Sequence, residues 1–467
     1  MKRTSSPTEL LVTLDRDRPR SLATQIEDQI RRGIQQAVLV SGTRMPSSRD
    51  LASELGVSRG VVVNAYAQLA SEGYLIVRQG SRPVVSAAAA ASAPAAEADP
   101  PRQRARFDFR VGAPDVSLFP RAAWLRSLRA ALQEISSSDL GYGDERGVLR
   151  LRSALAAYLG RVRRVVAEPQ RIVVTSGHLQ GHGIICRALR AAGARRIALE
   201  NPSYGDPREV ATRAGLDVVP IDVDEDGLRV EQLEGADVDA VVVTAAHQAP
   251  TGVVLTPRRR ALLIEWLRSR GAIAIEDDYD SEYRFDRPPV GALQGLDPEH
   301  VVYAGSASKT LAPALRIGWF VVPRRLMDDV TREKFLADRG TARIEQYALG
   351  DFLDRGELDR YLRRMRIRYR ERRDALVAAL ADTVPEATVR GIAAGLHAVV
   401  ELPHTYDETA IREEAWRRGV LVETIGQYQL AHVDAPPTLL LAYAPLAPPT
   451  IRSGIKELAR AIRATQP

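Results

Sequence analysis

The residue with the clearest chemical potential is Lys309, in the stretch Val301-Val-Tyr-Ala-Gly-Ser-Ala-Ser-Lys309-Thr-Leu-Ala-Pro-Ala-Leu-Arg316-Ile-Gly-Trp-Phe-Val-Val322. The flanks VVYA and WFVV are β-branched or aromatic runs with glycine near their inner ends; they predict buried strands, with Lys309 in a turn between them. The segment is otherwise small or apolar, so the amine is expected to be partly desolvated. Desolvation disfavours the ammonium form and raises the fraction able to attack an aldehyde and form a Schiff base. Ser306 and Ser308 carry hydroxyls that suit a phosphate, and Arg316, at +7, is a bidentate donor for the same anion. Taken alone, Ser-Ala-Ser-Lys is equally the composition of an ordinary polar turn.

The elements upstream supply more of such a site. Arg171-Ile-Val-Val-Thr175 reads as a buried strand that empties into Ser176-Gly-His-Leu-Gln180 and a helix through Arg190. A small-residue turn at a helix N-terminus presents free N–H groups to an anion, which makes Ser176, Gly177 and His178 a candidate phosphate cup. Arg196-Ile-Ala-Leu-Glu-Asn-Pro-Ser-Tyr204 is a strand ending in an aromatic ring. Ala240-Val-Val-Val-Thr244 leads into Ala-Ala-His247-Gln248-Ala-Pro250-Thr-Gly252, and Ala272-Ile-Ala-Ile-Glu-Asp277-Asp-Tyr279-Asp-Ser-Glu282 is a strand ending in carboxylates. A carboxylate at a buried strand end can hold a pyridine nitrogen protonated. Asp278 and Asp280 are expected to be solvated.

Ser-x-Ser-Lys followed by arginine at +7 resembles the cofactor-lysine motif of pyridoxal phosphate enzymes of the aspartate aminotransferase fold (fold type I). Gly141-Tyr142-Gly143, Ser176-Gly177, Tyr204, Pro250-Thr-Gly252, Asp277-x-Tyr279 and Ser308-Lys309 with Arg316 occur in the order of that family. The resemblance implies a Schiff base to pyridoxal 5'-phosphate on Lys309, Asp277 on the ring nitrogen, Tyr279 on the ring hydroxyl and Tyr204 stacked on the ring. No metal ligand set is assigned. The asparagine that transaminases place just before the proline is Ala249 here, so His247 or Gln248 is the candidate to meet the phenolate oxygen. His178 stands where the family usually has alanine and is either an added contact or a packed histidine.

A working transaminase also needs a cation for its substrate's α-carboxylate, normally an arginine in a strand near the C-terminus. The corresponding strand reads Pro437-Thr-Leu-Leu-Leu-Ala-Tyr443, with Leu440 at the arginine position and no arginine between Arg418 and Arg452. His178, Gln248 and Arg343 are the candidate substitutes.

Composition sets the frame for these motifs. The 467 residues are 45% hydrophobic and 27% charged, ordinary values for a globular protein of more than one domain. A single cysteine, Cys186, allows no intrachain disulfide and suits a reducing cytoplasm. The start, Met-Lys-Arg-Thr-Ser-Ser, has no apolar signal region, and no apolar run approaches the length of a membrane span. A soluble, intracellular protein is expected. Of the net charge of +6, residues 1 to 86 carry +4, from 12 Lys and Arg against 8 Asp and Glu, which points to a polyanion as partner of the N-terminus.

That N-terminal part has its own logic. Leu22, Ile26, Ile30 and Ile34 recur every four residues on one helix face. Ser47 can cap a short second helix to Leu55; Gly56-Val57-Ser58 is a tight turn, and Ser58 can cap a third helix to about Ser71. On that helix Val62, Ala65, Tyr66 and Leu69 can face inward, leaving Ser58, Arg59, Val63 and Asn64 for base edges and phosphates. Tyr74–Arg78 and Arg82–Val85, joined by Gln-Gly-Ser, form a wing. Pro46-Ser-Ser-Arg49-Asp-Leu-Ala, Leu55-Gly-Val-Ser-Arg59-Gly and Tyr66-Ala-Gln-Leu-Ala-Ser-Glu-Gly-Tyr74-Leu strongly resemble the GntR-family winged helix. The resemblance implies DNA contacts by Arg49, Ser58 and Arg59, with Gly80 at the wing tip. Where the family often has Gly-Ser-Gly-Thr, Gly80-Ser-Arg82-Pro83 adds a charge, so Arg82 either reaches a minor groove or is solvated.

Three divisions follow: a winged helix-turn-helix at 1–85, an Ala/Pro-rich linker at 86–105 interrupted by Pro94, Pro100 and Pro101, and an α/β aminotransferase-like domain, large and small parts together, at 106–467. The arginine-rich helix at 360–373 is read as covering apolar surface with its side-chain stems rather than nucleic acid. Winged helix plus aminotransferase-like domain resembles the MocR subfamily of bacterial regulators. The resemblance implies a homodimer on a double-stranded DNA operator, with pyridoxal phosphate used for sensing. Pyridoxal phosphate itself is the first expectation for the effector, an amino acid or amine the alternative, and an active aminotransferase with a DNA-binding appendage the rival class.

Overall fold

The computed structural model describes residues 12–17, 19–78, 80–88, 105–285, 290–433 and 435–466. The chain forms two compact units, Met1–Gln103 and Arg104–Pro467. Most of the expected linker, residues 89–104, lies outside the described residues, as does Gln79 in the wing turn.

In the first unit, α1 (Leu22–Gln35), α2 (Ser48–Leu55) and α3 (Arg59–Ser71) are followed by the strands β1 (Leu75–Ile76) and β2 (Val84–Val85), which pair antiparallel. Ser21 caps α1 by accepting the Thr24 N–H, and Ser47 caps α2 by accepting that of Asp50. Gly56, at φ 62, ends α2 in the left-handed conformation that the turn demands. Ile26, Ile30 and Ile34 meet Leu51, Val62, Ala65, Tyr66 and Leu69 in one core, while Leu22, the first residue of the expected face, is only half-buried at the helix start. Two details differ. Ser58 precedes α3 without making a side-chain cap bond, and the wing strands are only two residues each.

The second unit begins with β3 (Phe107–Asp108) and contains β4 (Ile172–Thr175), β5 (Arg196–Asn201), β6 (Asp217–Asp224), β7 (Gly227–Leu228), β8 (Ala240–Val243), β9 (Ile273–Asp277), β10 (Val301–Ser306) and β11 (Gly318–Val321). The last eight of these make one sheet in the order β4-β11-β10-β9-β8-β5-β6-β7. β10, β9, β8, β5 and β6 run parallel. β11 is antiparallel to both β10 and β4, so β4 also points their way. Apolar clusters cover both faces, one built with the helix His178–Ala191 and the other with the helix Pro257–Arg270. Thr175, Asn201, Val243, Asp277 and Ser306 therefore all end their strands at one edge, the edge where open α/β sheets bind ligands.

A second sheet, β12 (Thr388–Arg390), β13 (His397–Glu401), β16 (Thr438–Ala442) and β15 (Glu423–Thr424), is antiparallel in that order, and β14 (Val420–Leu421) pairs parallel with β3. The helix Glu357–Thr383 buries Tyr361, Leu362, Met365, Tyr369 and Leu376 in the core that β13, β16 and the helix Pro448–Ala464 share. Arg372 on that helix holds Asp115 at 2.7 Å and Arg366 donates to the Glu282 carbonyl at 2.5 Å. These two arginines are structural.

Candidate functional site

Lys309 lies in a single helical turn, Ala307–Thr310, between β10 and β11. Ser306 caps that turn by accepting the Ser308 N–H at 3.1 Å and lies 3.0 Å from the Ser308 hydroxyl. The Lys309 ammonium donates to the Gly112 carbonyl. Burial pulls its pKa below the ordinary lysine value, and Asp277, Asp280 and Asp206 push the other way. Gly112 is at φ 99, and a Cβ there would lie 2.9 Å from the Tyr204 hydroxyl and 3.2 Å from Lys309 Nζ. Glycine is needed where three groups converge.

The cup forms beside this turn. The helix His178–Ala191 starts at Gly177, which has φ 90 and no side-chain cap, so its first N–H groups are free for an anion. Arg316, itself at φ 52, donates from Nη2 to the Ser176 carbonyl at 2.7 Å and crowds Gly177 so closely that a Cβ there would sit 2.8 Å from it. The Ser176 N–H is taken by Gln180 Oε1 at 2.6 Å. What Ser176 has left for an anion is its hydroxyl.

Asp277 ends β9. Burial raises its pKa above the ordinary carboxylate range, and His178 opposes that rise. His178 Nε2 lies 3.4 Å from Asp277 Oδ2 while its ring stacks on His182 and Phe320. His178 is thus a packed histidine that also faces the Asp277 carboxylate. His182 behind it is fully buried, and burial pushes its pKa down to about 3.

Tyr279 and His247 meet on the far side of the site. His247 Nδ1 is 3.0 Å from Asp280 Oδ2 and 3.1 Å from the Tyr279 hydroxyl. A carboxylate only accepts, so Nδ1 carries the hydrogen. The Tyr279 oxygen then accepts from the same nitrogen and keeps its own hydrogen to donate. Burial, with Asp280 and Asp277 beside it, holds that hydroxyl well above the ordinary phenol range. His397 Nε2 contacts the Pro250 carbonyl at 3.0 Å, and burial lowers its pKa to about 4.

Three expectations are corrected by this geometry. Asp280 is buried against His247, and Asp278 is buried with Arg163 at 2.6 Å and Tyr303 at 2.7 Å, so neither is solvated. Gln248 is buried with its amide committed: Nε2 donates to Pro202 O at 2.9 Å and Ala249 O at 2.8 Å, and Oε1 accepts from Thr251. It holds the loop. Arg343 donates to the Asp139 carbonyl at 2.8 Å and to its carboxylate at 3.2 Å, which commits that candidate substitute for the arginine as well.

Leu440 is fully buried in β16, in a cluster with Val399, Ile425 and Tyr428, against which Val111 packs. The Tyr428 ring meets Tyr204 edge-on at 5.4 Å. Val111, Gly112 and Tyr428 escaped the sequence reading because only the fold ties their distant segments to Glu423, Lys309 and Tyr204. The residues fit pyridoxal phosphate: uncapped N–H groups at a helix start beside Arg316, a desolvated lysine, a carboxylate at a strand end and a phenol free to donate.

On the first unit, Arg49, Ser58, Arg59, Asn64, Gly80 and Arg82 are all exposed. Arg59 Nε reaches Ser48 Oγ at 3.3 Å, and Arg82 pairs with Asp50 at 3.2 Å. The start of α3 and the wing thus both lean on the start of α2, forming one polar face.

The family described as "Aminotransferase class I and II" matches residues 108–455, and "Bacterial regulatory proteins, gntR family" matches residues 22–85. The chain is 33% identical to the HTH-type pyridoxine biosynthesis transcriptional regulator PdxR of Corynebacterium glutamicum, over 84% of this chain and 86% of that one. It is 32% identical to the probable rhizopine catabolism regulatory protein MocR of Rhizobium meliloti, over 98% of this chain and 97% of that one. Among solved structures, the kynurenine aminotransferase of Pyrococcus horikoshii superposes with a TM-score of 0.70 at 27% identity, covering 78% of this chain and 92% of that one.

Proposed function

The chain belongs to the MocR-type regulators of the GntR family, a winged helix joined to an aminotransferase class I and II domain, and from that premise we propose that it binds operator DNA as a homodimer and senses pyridoxal phosphate to control vitamin B6 genes. One contrast carries the reading. Each polar group of pyridoxal phosphate has a partner around Lys309, whereas the place of an amino acid's α-carboxylate is filled by Leu440 and its apolar neighbours. An unpaired anion buried there costs several kcal/mol.

In this reading the free N–H groups at Gly177 and His178, with Arg316 and the hydroxyls of Ser176 and Ser308, take the phosphate, and Ser306 holds Ser308 in place. Tyr204 covers the ring, Asp277 holds the ring nitrogen protonated, and Tyr279, kept protonated and oriented by His247, donates to the ring oxygen. Bound, the cofactor supplies an aldehyde that combines with the Lys309 amine and an electron-withdrawing ring. Two recognition helices α3, one per subunit, are spaced for successive major grooves, roughly one helical turn apart, and occupancy of the site alters that spacing.

The similarity to PdxR supports the same choice. The test is to titrate apo-protein on its own upstream region with pyridoxal phosphate and then the loaded form with amino acids and amines. DNA affinity or bending is expected to respond to pyridoxal phosphate. A response to one amino acid alone, with none to the cofactor, overturns the reading.

A further inference from the structure

β15 and β16 are antiparallel, and Glu423 is the direct partner of Leu440. Direct partners share a sheet face with Cβ atoms roughly 5 Å apart. Val399 is the partner on Leu440's other side, so the row across that face reads Val399, Leu440, Glu423. The first two belong to the apolar cluster, and the third adds a negative charge where transaminases place a positive one on the neighbouring strand.

The carboxylate is tied to the lysine site through the backbone. Glu423 Oε2 accepts the Val111 N–H at 2.8 Å, and the carbonyl of the next residue, Gly112, holds the Lys309 ammonium. Tyr428, whose hydroxyl has Glu423 and Tyr204 as hydrogen-bonding neighbours, continues the contact to the ring that covers the site. The cation nearest in sequence to this wall, Arg110, is committed to Asp108 through Nε at 3.0 Å and Nη2 at 2.7 Å. The cleft alongside, of about 820 Å³ and sharing Val399 and Ile425 with the Leu440 cluster, is lined by Asp222, Glu225 and Glu401, with Arg390 already paired to Glu401.

We propose that Glu423 is a specificity determinant of the Lys309 site: its charge excludes ligands that carry a carboxylate next to their amine and leaves the site open to pyridoxal phosphate and to amines without that carboxylate. This rests on the assignment of pyridoxal phosphate to Lys309. Loss of the arginine alone would leave an amino acid unanchored. A carboxylate on the adjoining strand adds like-charge repulsion, which weakens binding by roughly tenfold or more.

The experiment uses full-length protein loaded with pyridoxal phosphate and two matched pairs, L-alanine with ethylamine and L-phenylalanine with phenethylamine. Binding is read by calorimetry and by the shift in Tm, alongside the visible spectrum. The wild type is expected to favour each amine over its amino acid by at least about tenfold. Glu423→Gln keeps an acceptor for the Val111 N–H and removes the charge, so the preference should fall about tenfold or more. Glu423→Asp keeps the charge and should keep the preference. Glu423→Gln with Leu440→Arg should reverse it. Equal binding of amine and amino acid by the wild type, or an unchanged ratio in Glu423→Gln, overturns the role of Glu423. Failure of the wild type to take up pyridoxal phosphate overturns the underlying assignment instead.

Discussion

His178 presents Nε2 to Asp277 Oδ2 at 3.4 Å, with its ring stacked on Phe320 at 5.8 Å between centroids. The contact joins two strands' ends: Asp277 closes β9 and His178 opens the helix after β4. Burial raises the Asp277 pKa and His178 is the strongest influence lowering it. Replacement by phenylalanine retains the stacking and removes the polar partner. Asp277 should then move further toward its neutral form and hold a protonated ring nitrogen less well. His178→Phe is expected to weaken pyridoxal phosphate binding in an absorbance titration, because the protonated ring nitrogen loses its anionic partner. An unchanged Kd would make His178 a packing residue only.

The Lys309 amine is predicted to be the preferred site of labelling by pyridoxal phosphate and borohydride. Burial lowers its pKa from the ordinary 10.5, so the reactive neutral amine appears at lower pH than for exposed lysines. Labelling at Lys309, read by peptide mass, should therefore rise with pH and level off before that of surface lysines does. Lys309→Ala should lose that label and the protein's visible band. Labelling spread evenly over other lysines would remove Lys309 from the centre of the site.

On the winged helix, Arg59→Ala should cost roughly 1 to 3 kcal/mol of operator binding if the side chain meets a guanine bidentately. Arg82 is about half exposed and already paired with Asp50, so Arg82→Ala should act mainly as the loss of one phosphate contact. Its signature is a salt dependence shallower by about one ion, with similar loss on specific and nonspecific DNA. Mobility-shift titrations at several salt concentrations separate the two. A specific loss at Arg82 equal to that at Arg59 would place the wing in direct readout.

The parts of this architecture that were legible in the sequence are those written in local patterns. The four-residue spacing of Ile26, Ile30 and Ile34, and the strand runs around Lys309 and before Asp277, announce their elements because periodicity and turn chemistry act over a few residues. Asp278 and Asp280 defeated that reading: strand-end carboxylates look alike in sequence, and only the fold brings Arg163 and His247 to them from distant segments. Gln248 looked free for a ligand, yet its loop folds back so that the amide satisfies three backbone groups. Glu423 had no sequence signal at all. Its strand is two residues long, and its meaning comes from the register that sets it opposite Leu440.

Glu200 offers a test of how the fold around the site depends on pH. It lies buried at the end of β5 and accepts from the Thr244 N–H at 3.2 Å, the Thr244 hydroxyl at 2.5 Å and Gln248 Nε2 at 3.2 Å, so it fixes the loop that leads to His247. Burial outweighs these donors and raises its pKa from 4.5 to about 7. Because the folded state binds this proton more tightly than the unfolded state, the contribution of Glu200 to stability is fully present below pH 4.5. It is lost as the pH rises through 7, where a charged carboxylate must stay buried. At about 1.4 kcal/mol per unit, the swing is on the order of 3 kcal/mol. Glu282, also raised to about 7, titrates in the same direction but is present in both proteins of the comparison. The difference in stability between wild type and Glu200→Gln therefore isolates Glu200. Denaturant unfolding at pH 5 and pH 8 should show the variant gaining on the wild type at the higher pH. A difference that stays constant between the two would mean that Glu200 is ionised throughout and that its three donors outweigh burial.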